Sequence, residues 1–125
     1  MRLAPSQIGS TRQVQTSSAI KIAVYPVTLM AGRAVQVTWR VDPDPLNREW
    51  CVAFEGEMPW RTFCETIPHN RRIWQQQLEP PAGQYDVELT VTRADGRRLR
   101  SVATLCVVGG DVSCGPQELI SEVPQ

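Results

Sequence analysis

Hydrophobic and polar residues alternate along much of the chain, which is typical of strands that bury one face. The clearest case is residues 34–41, where every second position is Val or Trp. The same period runs over residues 85–92, and Asp95-Gly96 follows it as a turn that favours a hairpin. We therefore expect two strong strands here and a return strand over 99–108.

Four weaker runs have the same character, at 20–24, 50–55, 60–64 and 73–78. Turn signals separate these segments, and no segment has a convincing helical period. Seven short strands in a chain of 125 residues predict one all-β domain, a sandwich or a small barrel.

The two ends of the chain differ from its centre. Residues 1–18 are rich in Ser, Thr and Gln and carry no hydrophobic period, so they predict an extended N-terminal arm. The sandwich is expected over 19–108, and a C-terminal hairpin and short tail over 109–125.

The segment 78–96, LEPPAGQYDVELTVTRADG, resembles the penultimate strand of immunoglobulin-like, PKD-like and fibronectin III-like domains. In such domains a Tyr after a Pro/Gly corner closes the corner through its hydroxyl group, and Tyr85 matches that residue. The resemblance covers roughly residues 20–108 and implies a single immunoglobulin-like antiparallel β-sandwich of about seven strands. Trp39 and Leu89 fall in the strands that antibody-type domains join by a Cys pair, so the antibody type is not expected.

The four cysteines are spaced for two local disulfides. A hairpin turning on residues 56–59 sets Cys51 opposite Cys64, and a turn on residues 109–111 sets Cys106 opposite Cys114. Directly opposed Cα atoms about 4.5 Å apart suit a disulfide, although four free thiols are the alternative. Disulfides predict an oxidising setting, either a virion exterior or an extracellular or cell-surface location.

The net charge and the apolar content of the chain limit which partners are expected. Thirteen basic and thirteen acidic residues cancel, which does not favour nucleic acid, and no apolar run approaches the roughly 20 residues needed for membrane insertion. The one histidine, His69, lies in a predicted loop with no recognisable nucleophile or metal-ligand spacing. We therefore expect no enzymatic activity and no cofactor.

The remaining polar clusters give weak candidate sites. The loop at 42–49 carries four oxygen-bearing side chains that could bind calcium, or could simply form a rigid turn: Asp42, Asp44, Asn47 and Glu49. Arg97 and Arg98 lie beside the Asp-Gly turn, where they could face an acidic partner or protect a sheet edge. Trp60 is expected near a hairpin tip, either as an exposed contact for a protein or sugar or packed beneath the hairpin.

These features favour a structural or interaction module. The first hypothesis is a phage capsid decoration or tail accessory protein that binds neighbouring proteins, including copies of itself. Its arm would pair with a neighbour's sheet edge through residues that include Gln7, Ile8, Arg12 and Val14. The alternative is a secreted or cell-surface adhesion domain that binds carbohydrate.

Overall fold

The structure, a computed structural model, describes residues 14–16, 18–68 and 71–114. Within these ranges the chain forms nine strands and no helix. The strands are β1 (Val14–Thr16), β2 (Ile20–Tyr25), β3 (Thr28–Met30), β4 (Val35–Val41), β5 (Asn47–Gly56), β6 (Arg61–Thr66), β7 (Ile73–Leu78), β8 (Gly83–Arg93) and β9 (Arg98–Val108).

The strands form two sheets. The larger sheet has the order β1-β9-β8-β5-β6, with β3 also paired to β9, and the smaller sheet has the order β2-β4-β7. The predicted immunoglobulin-like β-sandwich is confirmed. Strands β6 and β7 each lie at the end of their sheet, and this arrangement leaves one side of the sandwich open.

The alternating residues fill the space between the sheets. Strand β4 buries every second residue, and β8 buries four inward-facing residues from Tyr85 to Val91. The core side chains come from both sheets, as expected when each sheet buries only one face. The Ile22 backbone N–H also donates a hydrogen bond of 3.2 Å to the Ser101 hydroxyl oxygen, which joins β2 to β9 across the sandwich.

The corner before β8 forms as the resemblance implied. The Tyr85 hydroxyl group donates to the Pro81 carbonyl oxygen at 2.8 Å, and the Tyr85 side chain is buried. Gly83 leaves room for this ring, because a Cβ atom there would lie 3.1 Å from the tyrosine oxygen. The hydroxyl group therefore fixes the path by which the chain enters the hairpin of β8 and β9.

Both predicted disulfides are present, Cys51–Cys64 and Cys106–Cys114. The register Cys51↔Cys64 is the one that the hairpin spacing predicts. The second hairpin differs by one residue from the prediction, because Gly109 rather than Val108 pairs with Val112. A turn with positive φ at Gly110 allows the tighter connection.

Two short strands, β1 and β3, were not predicted from the sequence. Each has three residues and pairs in parallel with β9, at opposite ends of that strand. Three residues are too few to show a hydrophobic period, and their place depends on β9, which lies about 70 or more residues later in the chain. Because β1 pairs within the sheet, the end of the predicted arm belongs to the sandwich.

Candidate functional site

A cavity of about 330 Å³ lies on the open side of the sandwich, between β6 and β7. Strands from both sheets contribute to it, and the connection before β7 contributes Arg71. The lining residues are Trp39, Trp50, Arg61, Phe63, Cys64, Glu65, Arg71, Trp74, Gln75 and Gln76. Its size is at the small end of the range for ligand pockets, roughly 300–1,000 Å³.

A cluster of buried aromatic rings lies beneath the surface of the cavity. The ring centroids of Trp39 and Trp50 are 4.8 Å apart, and those of Trp50 and Trp74 are 5.8 Å apart. Phe63 stands edge-on to Trp50 at 6.0 Å. These rings lie close together because β4 places Trp39 directly opposite Trp74 of β7, and β6 places Phe63 two residues from the partner of Trp50 in β5.

The indole N–H groups of this cluster are unpaired. Trp39, Trp50 and Trp74 are each at most 4% exposed, and within the described part of the chain their Nε1 atoms have no hydrogen-bond acceptor. An unpaired buried donor costs about 1–3 kcal/mol, so a natural protein seldom leaves several together without a reason. The cluster therefore combines buried aromatic rings with donors that lack acceptors.

The rim of the cavity carries charged and amide groups. The Arg71 guanidinium lies 5.5 Å from the Trp74 ring centroid, and its Nε–H donates to the Ile73 carbonyl oxygen at 3.3 Å. The Arg61 guanidinium lies 5.2 Å from the ring centroid of Trp60, and Glu65 is exposed on the same strand as Arg61. A polar rim above buried aromatic rings suits a ligand that has several hydrogen-bonding groups.

Sequence reasoning missed this site. It placed Trp39, Trp50 and Trp74 in strands but did not predict that their side chains meet. A signal was available, since all four tryptophans of the chain, including these three, fall inside predicted strands. It became informative only once the sheet order brought these strands to the open side.

Trp60, the sequence-based candidate, packs under its hairpin. Its ring stands edge-on to Phe54 with centroids 5.0 Å apart, and its backbone N–H donates to the Phe54 carbonyl oxygen at 3.1 Å. The side chain is half-buried and does not line the cavity. Trp60 therefore takes the second of its two expected positions, packed beneath the hairpin.

The loop at 42–49 is held by arginines. Asp42 forms ion pairs with Arg40 and Arg72, and Asp44 lies 3.3 Å from the Arg93 guanidinium. The side chain of Asn47 donates to the backbone oxygen of Asp42 at 3.0 Å and accepts from Arg93 at 3.2 Å.

This pairing bears on the calcium candidate. Because arginines already contact two of its carboxylates, the loop has the contacts of a rigid turn rather than a free oxygen cage. The fourth candidate, Glu49, lies near Cys51 and Cys64, whose sulfur atoms are joined in a disulfide and cannot act as thiolate ligands.

The arginines near the Asp-Gly turn differ in their contacts. Arg97 pairs with Asp95 at 3.0 Å, and its backbone N–H donates to the same carboxylate at 3.0 Å. That backbone hydrogen bond is the main cause that lowers the pKa of Asp95 below its ordinary value of 3.8. Arg100 pairs with Glu88, whereas Arg98 is exposed at the start of β9.

Several candidates lie outside the described residues. They are Gln7, Ile8, Arg12 and His69. Val14 is described as the first residue of β1, where its backbone position pairs with Arg98 of the same chain.

The disulfides indicate an oxidising, non-cytoplasmic location. In the part of the chain that the structure describes, no helix is long and apolar enough to cross a membrane.

Comparisons with known proteins concern the fold. No protein-family model matches the chain, and no curated protein is similar to it. Among solved structures, superoxide reductase (neelaredoxin) from Ignicoccus hospitalis aligns with a TM-score of 0.59 at 15% identity, over 72% of this chain and 80% of that one. The sulfur carrier protein SoxY from Chlorobium limicola f thiosulfatophilum aligns with a TM-score of 0.59 at 18% identity, over 82% and 94%. The fn3 domain of human collagen alpha-1(XX) chain aligns with a TM-score of 0.48 at 16% identity, over 82% and 92%.

These similarities correct one expectation. We expected no enzymatic activity, and that prediction is contradicted because superoxide reductase is an enzyme that shares this fold. The physical reason is that a β-sandwich only supplies a scaffold, and chemistry depends on the side chains and loops placed on it. At this level of identity the similarity shows the fold alone.

Proposed function

We propose that the chain is an extracytoplasmic binding module that takes a glycan into the cavity between β6 and β7. The observation that carries the proposal is the group of unpaired indole donors of Trp39, Trp50 and Trp74, which lies beneath the polar lining of the cavity. A sugar ring carries several hydroxyl oxygens that accept hydrogen bonds. Such acceptors match the donors that lack partners in this cluster.

The rim supports the same class of ligand. The side-chain amides of Gln75 and Gln76 and the carboxylate of Glu65 can bond to hydroxyl groups as donors or acceptors. The indole N–H groups are covered, and the ligand reaches the first of them by a rotation of Trp74, whose strand has a free edge. In this proposal the chain is an adhesion or carbohydrate-binding domain that works in an oxidising setting.

Trp74→Phe tests the proposal, because it keeps an aromatic ring and removes one donor. We expect affinity for a binding glycan, found on an array of neutral and acidic oligosaccharides, to fall about five- to tenfold in calorimetric titration. Tyr25→Phe is the matched control, since Tyr25 is 78% exposed on the outer face of the smaller sheet. Equal affinity of the two variants, or no glycan bound by the unchanged protein, would overturn the proposal.

The assembly hypothesis is the second candidate. The observation that favours it is β1, because the end of the arm already extends a sheet by backbone pairing. In this proposal residues 1–13, with Gln7, Ile8 and Arg12, pair with a neighbouring protein of a capsid or tail. Sedimentation with and without residues 1–13 tests it.

The resemblance to PKD-like and fibronectin III-like domains is also kept as a proposal. The Tyr85 corner supports it, as do Trp39 and Leu89 in place of the antibody-type Cys pair.

A further inference from the structure

The arginines of the chain divide by their contacts. Five of them contact a carboxylate of the same chain: Arg40, Arg72, Arg93, Arg97 and Arg100. Arg61 and Arg71, which line the cavity, form no ion pair within the described residues. The cavity therefore holds cationic groups whose charge the described chain does not neutralise by direct contact.

Contacts with aromatic rings order these two guanidinium groups. Arg71 lies over Trp74, and Arg61 lies over Trp60. Such contacts reduce the freedom of a long side chain while leaving its N–H groups able to bond. Arg71 donates its Nε–H to the Ile73 carbonyl oxygen, so its two terminal amino groups remain for a ligand.

The charge of the rim favours an anion. Two arginines and Glu65 leave a net positive charge at the cavity, whereas the whole chain has a formal net charge of zero. The planar fork of Arg matches a carboxylate group, and such charged hydrogen bonds are roughly twice as strong as neutral ones. A sugar carboxylate would meet Arg71 at the rim of the cavity.

We propose that the glycan bound in this cavity is acidic and that Arg71, with Arg61, recognises the carboxylate of a uronic acid unit. The inference rests on the proposed function, since it specifies the ligand of the same cavity. It assigns Arg71 and Arg61 as the specificity-determining residues of the cavity.

Matched pairs of ligands test the inference. Oligogalacturonate, oligomannuronate and hyaluronan oligosaccharides are each compared with their methyl esters, which keep the ring and lose the charge. We expect at least one acid to bind about tenfold or more tightly than its ester by calorimetry, with the preference shrinking as salt rises from about 0.05 to 0.5 M. Arg71→Gln should remove most of this preference and leave the affinity for the ester unchanged within about twofold.

Arg33→Gln is the matched control, because Arg33 is exposed in the turn between β3 and β4 and does not line the cavity. It removes the same charge and should keep the preference. Equal binding of every acid and its ester would overturn the acidic ligand and leave the glycan-binding proposal standing. Loss of preference in Arg33→Gln as large as in Arg71→Gln would show a general charge effect and would also overturn the inference. No binding of any acid, ester or neutral glycan would overturn both proposals.

Discussion

A single hydroxyl group closes the corner before β8. Tyr85 is 4% exposed, and its hydroxyl group is bonded to the Pro81 carbonyl oxygen. Its ring also stands edge-on to Phe54 in the neighbouring strand, with centroids 5.8 Å apart. At the scale of one residue, the polar tip orders a loop and the apolar ring fills the core.

Tyr85→Phe should destabilise the protein because it removes this hydrogen bond and keeps the ring. We expect the free energy of unfolding to fall by about 1 kcal/mol in urea, with the slope against urea unchanged. Tyr25→Phe, at an exposed site, serves as control and should change stability by less than about 0.5 kcal/mol. Equal losses in the two variants would contradict a role for the corner bond.

The effect of Tyr85→Phe on stability depends on pH. Burial raises the pKa of Tyr85 above its ordinary value of 10.0, because the phenolate form is poorly solvated in the core. The folded state therefore holds this proton more tightly than the unfolded state. Its contribution is fully present below about pH 10 and is lost as pH rises through the folded pKa. The urea experiment is repeated above pH 10. Relative to neutral pH, the free energy of unfolding should fall less for Tyr85→Phe than for the unchanged protein.

The hairpin of β5 and β6 is the element that builds one wall of the cavity. Strand β6 pairs only with β5, so its outer edge has no partner strand within the described residues. The disulfide Cys51–Cys64 joins the two strands across 13 positions of sequence. Because Arg61, Phe63 and Glu65 all depend on this edge strand, the disulfide also holds part of the cavity in place.

Cys51→Ala with Cys64→Ala should loosen this wall. A closed loop of this length contributes about 3 kcal/mol in the chain-entropy model, and we expect a loss near that size in urea unfolding without reductant. Amide hydrogen exchange should also become faster in β6.

The second disulfide provides the comparison. Cys106→Ala with Cys114→Ala removes a bond across 8 positions and should cost a similar or slightly smaller free energy. Exchange in β6 should stay unchanged there, since Cys106 lies in β9. Faster exchange in β6 for both double variants would contradict a local role for Cys51–Cys64.

At the scale of the whole molecule, the sandwich has two features open to partners. One is the cavity between the free edges of β6 and β7, and the other is the end of the larger sheet at β1. The glycan and assembly proposals use different features, so one experiment on the arm separates them.

Removal of residues 1–13 should convert a defined assembly into monomers if the assembly proposal holds. Sedimentation velocity measures this, and a matched truncation of residues 115–125 controls for the loss of a terminal segment. The cut at residue 13 keeps β1, whose pairing with β9 belongs to the sandwich itself. Identical monomers for all three chains would leave the arm without a role in assembly.

The fold could be predicted from the sequence because the alternation of hydrophobic and polar residues is a local property. Inward-facing Val, Trp and Leu residues at period two determine the strands, the buried face and the sandwich. The hairpin spacing likewise determined that Cys51 meets Cys64, since residues across a hairpin turn pair in a fixed register. Tyr85 and its corner followed from a short local motif.

The cavity and its chemistry were decided only by tertiary structure. Which strands end up as sheet edges depends on pairings between distant parts of the chain, and no local period records them. The sequence alone therefore predicted a strand that contains Trp74, but not the neighbours Trp50 and Arg71 of this residue, nor the indole groups left without acceptors. Burial depends on alternation within one strand, whereas a binding site depends on the meeting of several strands.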